Sequence, residues 1–235
     1  MKPTVNILAD LVNSFNPSTT ITNVVDNGGG SYTISVCNTL NIRELSPFKV
    51  NANNETAKSV DTELKTITYE TGTPPQKFDI VYGAKPFFFH GTPIATGNEL
   101  SLILESGSKL PMVYLLEIIT DTLDRNPESS IERTTQVSLF FLDEANFGDW
   151  DTDEHYSQAV IPMMNYAEAF LDYLDNAPLV GVIDTAPMTY HAKFGLEIRT
   201  NSGHVKNLFP EELSGVQVTI TLPLLKDLSC SDACN

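Results

Sequence analysis

The fold of this chain is decided by six segments between residues 98 and 222. In chain order they read NELSLIL (98–104), LPMVYLLEII (110–119), QVSLFFL (136–142), YSQAVIPMMNYAEAFLDYL (156–174), MTYHAKFGLEIR (188–199) and VQVTITL (216–222). Apolar residues recur every three or four positions in the first and fourth segments, which indicates helices. In the other segments they alternate or run on without a break, which indicates strands. The predicted order is therefore helix, strand, strand, helix, strand, strand.

Both predicted helices have recognisable ends. Asn98 is expected to cap the first helix, because its side chain can accept a hydrogen bond from a free N–H, and Gly107 is expected to end it. Asp153 is expected to cap the second helix, whose apolar stripe continues for about six turns. Pro162 lies within that stripe, and its missing N–H predicts a kink or a broken first turn.

The strands differ in how much of each is expected to be buried. Residues 188–199 alternate between apolar and polar positions and give the strongest strand signal in the chain. Residues 216–222 repeat this pattern after Gly215. Residues 110–119 form an apolar run with one interruption, which is typical of a strand buried on both faces. The polar residues 120–130 are expected to form the segment that follows it.

The first part of the chain predicts a short helix and several short strands. Apolar residues between Val5 and Phe15 have the spacing of an amphipathic helix, which the pair Asn16-Pro17 ends. A hairpin is expected around the run DNGGG (26–30), because glycine readily adopts positive φ. The polar residues 51–62 are expected to form a surface loop. Further short strands are expected at residues 48–50, 65–69 and 78–82.

We therefore predict an α+β protein with a β-rich N-terminal part. Residues 1–97 form the predicted N-terminal helix and β-rich region, and residues 98–235 form the predicted α/β module with its C-terminal tail. Two arrangements remain compatible with the pattern. The chain could fold as two layers of one domain, or as a β-rich lobe followed by an α/β lobe, joined near residue 90.

The composition is that of an acidic, folded protein. The 235 residues are 41% hydrophobic and include 30 acidic but only 14 basic residues, which gives a net charge of −16. Such a surface repels phosphate, so nucleic acid is not an expected binding partner. Residues 4–15 are too short and polar for a secretory signal, and no apolar run reaches the ~18 residues of a membrane helix. With only three cysteines, free thiols and a cytoplasmic origin are expected.

The acidic segment 143–154 contains the main candidate site. Asp149, Asp151 and Asp153 have the one-three-five spacing of a calcium loop, but Glu154 stands where such a loop needs glycine. Val160 stands where the loop needs a bidentate glutamate, so tight calcium binding is not expected. We interpret the segment as a solvated loop that enters a helix. Together with Trp150 it is a candidate subunit-contact loop, formed by Asp149, Trp150, Asp151 and Asp153.

Motifs that carry catalysis or hold cofactors are not found in the sequence. None of the four histidines, His90, His155, His191 and His204, stands in a zinc-ligand pattern. His90 is expected to form hydrogen bonds in a turn, and His191 to face solvent or a neighbouring subunit. Cys230 and Cys234 could hold a metal, close a small disulfide ring or belong to a frayed tail. We predict no catalytic residue, no cofactor and no metal site.

Residues 98–222 resemble the tail-terminator and head–tail joining proteins of tailed bacteriophages. The resemblance rests on the strand that begins Lys109-Leu110-Pro111, the charged hairpin loop after it, the strand that ends Phe140-Phe141-Leu142, and the acidic lead with Trp150 into a long helix. The segment KPFFFHGTP (85–93), ahead of Asn98, is also similar to neck proteins of short-tailed crAss-like phages.

This resemblance implies a virion structural protein without enzymatic activity. Proteins of this kind form rings that stack between portal and tail, and DNA passes through them only as cargo. The implied partners are further copies of the chain and the neighbouring portal, neck and tail proteins, with no membrane. The implied location is the virion, assembled in the host cytoplasm. The net charge of −16 leads us to expect a channel lined by acidic or neutral residues.

Two other functions are considered beside the ring. A β-rich carbohydrate- or ligand-binding module is the alternative from a different class. It should present exposed aromatic side chains, but the chain has one tryptophan, and most other aromatic residues fall on predicted core faces. A hydrolase that uses the acidic loop is weaker still, because its acids cluster in one loop rather than in a predicted cleft.

Overall fold

The computed structural model describes residues 2–102, 109–126, 128–195, 198–199, 205–206 and 209–226. The described residues form an α+β protein, as predicted, in which a closed six-stranded barrel precedes a five-stranded sheet with helices packed on it. Within these ranges no helix is long and apolar enough to cross a bilayer. Predictions for Gly107, His204, Cys230 and Cys234 fall outside the described residues.

The barrel occupies the first part of the chain after an initial helix, α1 (Thr4–Ser14). Its strands are β1 (Ser18–Gly28), β2 (Ser31–Val36), β3 (Pro47–Val50), β4 (Asn53–Asp61), β5 (Thr66–Glu70) and β6 (Ile80–Tyr82). They neighbour one another in the order β1-β2-β5-β4-β3-β6, and β6 closes the barrel by pairing with β1. The inward-facing side chains form a core of their own, which includes Ile21, Ile34, Phe48, Ile67 and Val81.

The hairpin predicted around residues 26–30 is confirmed. Gly28 pairs with Ser31, so Gly29 and Gly30 form the turn, with φ angles of 66° and 83°. Positive φ at both central positions is the type I′ geometry, whose twist matches that of the two strands. Glycine adopts these angles without steric cost, which explains why the run of glycines marks the turn.

The surface loop predicted at residues 51–62 is wrong, because most of that segment is strand β4. β4 pairs with β3 on one side and β5 on the other, and of its side chains only Ala57 is fully buried. A register shift between Ala57 and Ser59 breaks the alternation of inward and outward side chains. The sequence therefore shows neither apolar content nor a period of two.

The second sheet collects the remaining long strands. After β7 (Phe87–Gly91) come α2 (Pro93–Leu102), β8 (Met112–Leu123), β9 (Ile131–Glu144), α3 (Thr152–His155), α4 (Ile161–Asp175), β10 (Met188–Phe194), the short hairpin β11 (Ile198–Arg199) and β12 (Val205–Lys206), and β13 (Leu213–Leu225). The strand order is β10-β13-β9-β8-β7, antiparallel except for the β7–β8 pair. From α2 onward the long elements follow the order helix, strand, strand, helix, strand, strand, with β11 and β12 inserted before the last.

One face of this sheet carries the largest core of the protein. Helices α1 and α4 pack on it, and α1 thus docks on the sheet rather than on the barrel that follows it in the chain. The core residues on these two helices are Leu8, Val12, Met163, Tyr166, Ala167, Phe170 and Leu174, and Phe15 joins them directly after α1. The predicted boundary after residue 97 falls inside α2, and β7 before it belongs to the sheet.

The opposite face of the sheet is covered only at one end. Phe89, Leu100, Tyr114, Phe140 and Phe209 form a smaller core there. Helix α2, which belongs to this cover, begins at Pro93 rather than at the predicted cap Asn98. Thr92 Oγ1 accepts a hydrogen bond from Ala95 N (3.3 Å), so Thr92 caps the helix. Proline fits the first helical position, where its missing N–H has no partner to lose.

The strand predicted at residues 188–199 ends early. β10 stops at Phe194, and Gly195 follows with a φ of 76°. A Cβ on Gly195 would lie 2.4 Å from Cδ2 of Phe209, so only glycine fits beneath that ring. Strand β11, which begins three residues after Gly195, pairs with β12 in a separate sheet. The strand predicted at residues 216–222 is confirmed within β13.

Candidate assembly surfaces

The acidic residues predicted to contact a neighbouring subunit lie on the loop between β9 and α3. Asp149, Asp151 and Asp153 are exposed, and Trp150 is half-buried. Asn146 Nδ2 donates a hydrogen bond to Asp149 Oδ2 (2.8 Å), so this carboxylate is held within the loop. Among the residues that the structure describes, no three His, Cys, Asp or Glu side chains are grouped closely enough to hold a metal ion.

Helix α3 begins with a capping box at Asp151, two residues before the predicted cap Asp153. Asp151 Oδ1 accepts a hydrogen bond from Glu154 N (2.9 Å), and Glu154 Oε2 accepts one from Asp151 N (2.9 Å). The cap is therefore Asp151, not Asp153, because only Asp151 has a glutamate three positions later to complete the box. Asp153 lies in the first turn, where the helix dipole favours its charge.

We expect calcium titration to show no site tighter than about 10⁻⁴ M, the weak end for loops with this spacing. Asp151 is committed to its cap and Asp149 to Asn146, so the carboxylates do not converge on one point. Isothermal titration calorimetry of the whole chain measures this directly. The variant Asp149→Asn/Asp153→Asn provides the control for non-specific heats. Micromolar binding that this variant abolishes would contradict our interpretation.

His155 anchors the acidic loop to the sheet, a role that the sequence analysis did not find. Its ring is buried, 5.7 Å from the ring of Phe147 and 5.5 Å from that of Trp150. Its Nδ1 lies 3.4 Å from Ser214 Oγ on β13. Phe147 N also donates to a carboxylate oxygen of Glu212. No pattern in the sequence separates His155 from the other histidines, because the residues that surround it are distant in the chain.

Arg43 connects the barrel to the two segments that flank the acidic loop and α3: the end of β9 and Gln158, three residues after α3. Its Nη2 lies 3.6 Å from Asp143 Oδ2, and its Nη1 donates to Glu144 O and Gln158 O, each at 3.2 Å. Asp143 is buried, and burial raises the pKa of its carboxyl, although Arg43 and the N–H of Glu144 oppose this shift. A residue of the barrel segment thereby fixes the point where β9 enters the loop.

The break predicted at Pro162 is confirmed as a π-helical turn at Tyr156–Val160 between α3 and α4. The N–H of Ile161 bonds to Tyr156 O, five residues earlier. Pro162 has no N–H for the carbonyl of Gln158, four residues before it. Arg43 Nη1 supplies the donor that this carbonyl would otherwise lack (3.2 Å). The proline therefore removes one possible donor to the carbonyl of Gln158, and the arginine provides another.

The five-stranded sheet has two open edges, one on each side. β7 and β10 are its terminal strands, and within the described residues each pairs with one neighbour only. Large apolar side chains are exposed at both edges, Phe87 at 42% on β7 and Tyr190 at 50% on β10. Unpaired strand edges of this kind are surfaces to which a further strand can be added.

Two of the histidines lie on these terminal strands. His90 lies on β7 rather than in the predicted turn, and its Nδ1 is 2.7 Å from Glu117 Oε1 on β8. His191 lies on β10 and is half-buried, with Nε2 3.4 Å from Gln217 Oε1. The ring of His191 also lies 5.8 Å from that of Phe140 and 5.6 Å from that of Phe194, at the margin of the smaller core.

A stripe of uncharged polar side chains crosses the uncovered sheet face. Ser138 lies opposite Thr219, with their hydroxyl oxygens 3.3 Å apart, and Gln217 Nε2 donates to Ser138 Oγ (3.2 Å). The register places Thr120 beside Gln136 and Gln136 beside Thr221. Residues directly opposite one another point to the same face. The stripe defined by these six residues offers hydrogen bonds but no charge.

A cavity of about 540 Å³ opens where the barrel meets the linker to β7. Lys49 on β3 lies directly opposite Asn54 on one side and Tyr82 on the other. Lys85, in the segment between β6 and β7, and Asn16 also line the cavity, together with Phe48. The cavity thus combines two ammonium groups with amides and aromatic carbon.

Comparison with known proteins assigns none of these surfaces: no protein-family model matches the chain, and no curated protein or solved structure shows significant similarity to it.

Proposed function

We propose that this chain is a structural subunit of a bacteriophage neck, with a tail-terminator-like module from α2 to β13. In this role copies of the chain form a ring that joins the portal and head to the tail and lets DNA pass. The observation that carries the proposal is the sheet with two unlike open edges, formed by the edge strands β7 and β10. It adds to the resemblance of residues 98–222 to head–tail joining proteins.

The two open edges are suited to ring formation because their surfaces differ from each other. A contact between unlike surfaces is heterologous, and such contacts close into a ring when the rotation between copies allows it. Directly before β10, Pro187 O accepts a hydrogen bond from Thr219 N (3.0 Å), and successive residues of an antiparallel strand alternate in their hydrogen bonding to the partner strand. Met188 and Tyr190 therefore direct their backbone groups away from β13, toward the open edge.

The charge of the subunit is compatible with a conduit for DNA. Each copy carries −16, and a ring of such copies repels the phosphate backbone. The uncharged stripe around Ser138 and Gln217 is our candidate for the channel wall, because it lacks the cations that would hold phosphates. In this role no membrane, cofactor or catalytic residue takes part, and the neighbouring portal and tail proteins are the further partners.

We expect the purified chain to assemble and Tyr190→Lys to weaken the assembly by about tenfold or more in apparent Kd, because a lysine on an edge strand opposes further pairing. Light scattering after size-exclusion chromatography, over a range of concentrations, gives the mass. The matched control is Leu64→Lys, which changes an exposed leucine in the β4–β5 turn of the barrel. A wild-type chain that stays monomeric, with or without neck proteins, would overturn the proposal.

The alternative of a carbohydrate-binding module draws support only from the 540 Å³ cavity. Sugar rings usually stack on open aromatic faces. Of the two aromatic residues at this cavity, Phe48 is buried and Tyr82 is half-buried. The cavity therefore offers no broad aromatic platform, and its lysines suit an acidic partner better than a neutral sugar.

A further inference from the structure

The cavity between β3, β6 and the linker is the one concentration of unpaired positive charge that we find among the described side chains. Lys49 and Lys85 are exposed, and neither lies within salt-bridge distance of a carboxylate in the described structure. Lys2, Lys58 and Lys109, by contrast, each have an acidic partner. In a chain of net charge −16, two such lysines at one cavity form a local site for an acidic group.

The acidic loop has the complementary chemistry. Four of the six residues from 149 to 154 are acidic, and Trp150 stands among them. The loop is fixed before any contact, because His155, Glu212 and the capping box hold its backbone. A preordered loop loses little conformational entropy on docking, which favours its use as an inserting element.

We propose that the acidic loop of one copy inserts into the lysine cavity of the next copy in the ring. This inference rests on the proposed function and names a second contact between neighbouring copies, beside the one at the edge strands β7 and β10. Copies that each carry −16 repel one another, so a stable contact must place acids against the few free cations. Asp149 and Asp153 face Lys49 and Lys85 in this contact, and Trp150 packs on the apolar part of the cavity.

The occupant is a second copy rather than a small acidic ligand. Both lysines are exposed residues that line the cavity, and a volume of about 540 Å³ admits an indole together with two carboxylates. The loop and the cavity are different surfaces of one chain. Their contact is therefore heterologous, as a ring requires.

The test reverses the charges on each side and then on both. Lys49→Glu/Lys85→Glu is expected to raise the apparent Kd of assembly by about tenfold or more. The two new glutamates would repel the aspartates of the neighbouring copy's loop. Adding Asp149→Lys/Asp153→Lys to the same chain is expected to restore assembly. The matched control is Lys65→Glu/Lys77→Glu, which makes the same change in net charge at two exposed lysines that do not line the cavity. Thermal unfolding of each variant verifies that it is folded.

Zero-length carbodiimide cross-linking of the wild-type assembly identifies the contact independently. We expect peptides that join Lys49 or Lys85 of one copy to Asp149, Asp151 or Asp153 of another. Cross-links to a different acidic segment, or an assembly that tolerates the reversed lysines, would overturn this inference while the ring proposal stands. A wild-type chain that never assembles would overturn both.

Discussion

Replacing Phe170 by alanine is expected to lower the free energy of unfolding by about 4 kcal/mol, the range for removing a fully buried phenyl ring. Phe170 is inaccessible to solvent, and its ring lies 5.2 Å from that of Phe15, directly after α1, and 5.6 Å from that of Phe141 on β9. One side chain thus joins α1, α4 and the sheet. Urea denaturation followed by circular dichroism measures the loss.

The control for Phe170→Ala is Leu102→Ala on α2, which shortens an apolar side chain that is 81% exposed. A change within about 0.5 kcal/mol is expected there, because no contact of the core is removed. A loss below about 2 kcal/mol for Phe170→Ala would contradict the docking of α1 and α4 on this sheet. An unchanged dependence on urea concentration would show that both variants unfold from the same folded state.

The stripe on α4 illustrates how much the sequence could predict. Met163, Ala167, Phe170 and Leu174 are buried as their spacing indicates, whereas Tyr156, assigned to the same stripe, is 38% exposed. The π-helical turn before α4 explains the difference, because its extra residue per turn changes the phase of every position before it. Local periodicity therefore holds only as far as the backbone stays α-helical.

Other parts of the fold depend on contacts that no local pattern encodes. The helix predicted between Val5 and Phe15 is present, but its docking on a sheet built from residues after 86 could not be inferred. Strand β4 was predicted as a loop because a barrel strand with a solvated outer face and a bulge carries few apolar residues. These choices follow from long-range pairing, which decides the strand assignment against weak local preference.

The candidate site divides in the same way. The exposure of Asp149, Asp151 and Asp153 follows from their charge and could be predicted. The residues that hold their loop could not. Arg43 and His155 act through partners far away in the chain, and the two lysines of the cavity come together only when β3 and the linker meet.

Arg43→Ala is expected to lower the free energy of unfolding by about 3 kcal/mol, because it leaves the buried carboxylate of Asp143 without its cation. The side chains of Arg43 and Asp143 are 24% and 10% exposed, so solvent screens this pair only weakly. The carbonyls of Glu144 and Gln158 lose a donor at the same time. Urea denaturation near neutral pH measures the effect, and Arg125→Ala, at an exposed arginine two residues after β8, serves as the control.

The loss caused by Arg43→Ala should depend on pH in a defined direction. Burial raises the pKa of Asp143 above its ordinary value of 3.8, so the folded state binds this proton more tightly than the unfolded state. The contribution of Asp143 to stability is therefore fully present below that ordinary value and is lost as the pH rises through the folded pKa. Removing Arg43 raises this pKa further, so the loss should grow as the pH rises from the ordinary value of 3.8 toward neutrality.

The double variant Arg43→Ala/Asp143→Asn separates the charge from the hydrogen bonds. Asparagine removes the buried charge, so the pH dependence of the loss should disappear, while the part that comes from the two carbonyls stays. Because Arg43 holds the two segments that flank the acidic loop and α3, Arg43→Ala should also weaken assembly under conditions where the chain remains folded. A variant that keeps its full stability and assembles normally would contradict the role given to Arg43, and would mean that His155 and the capping box alone hold the loop.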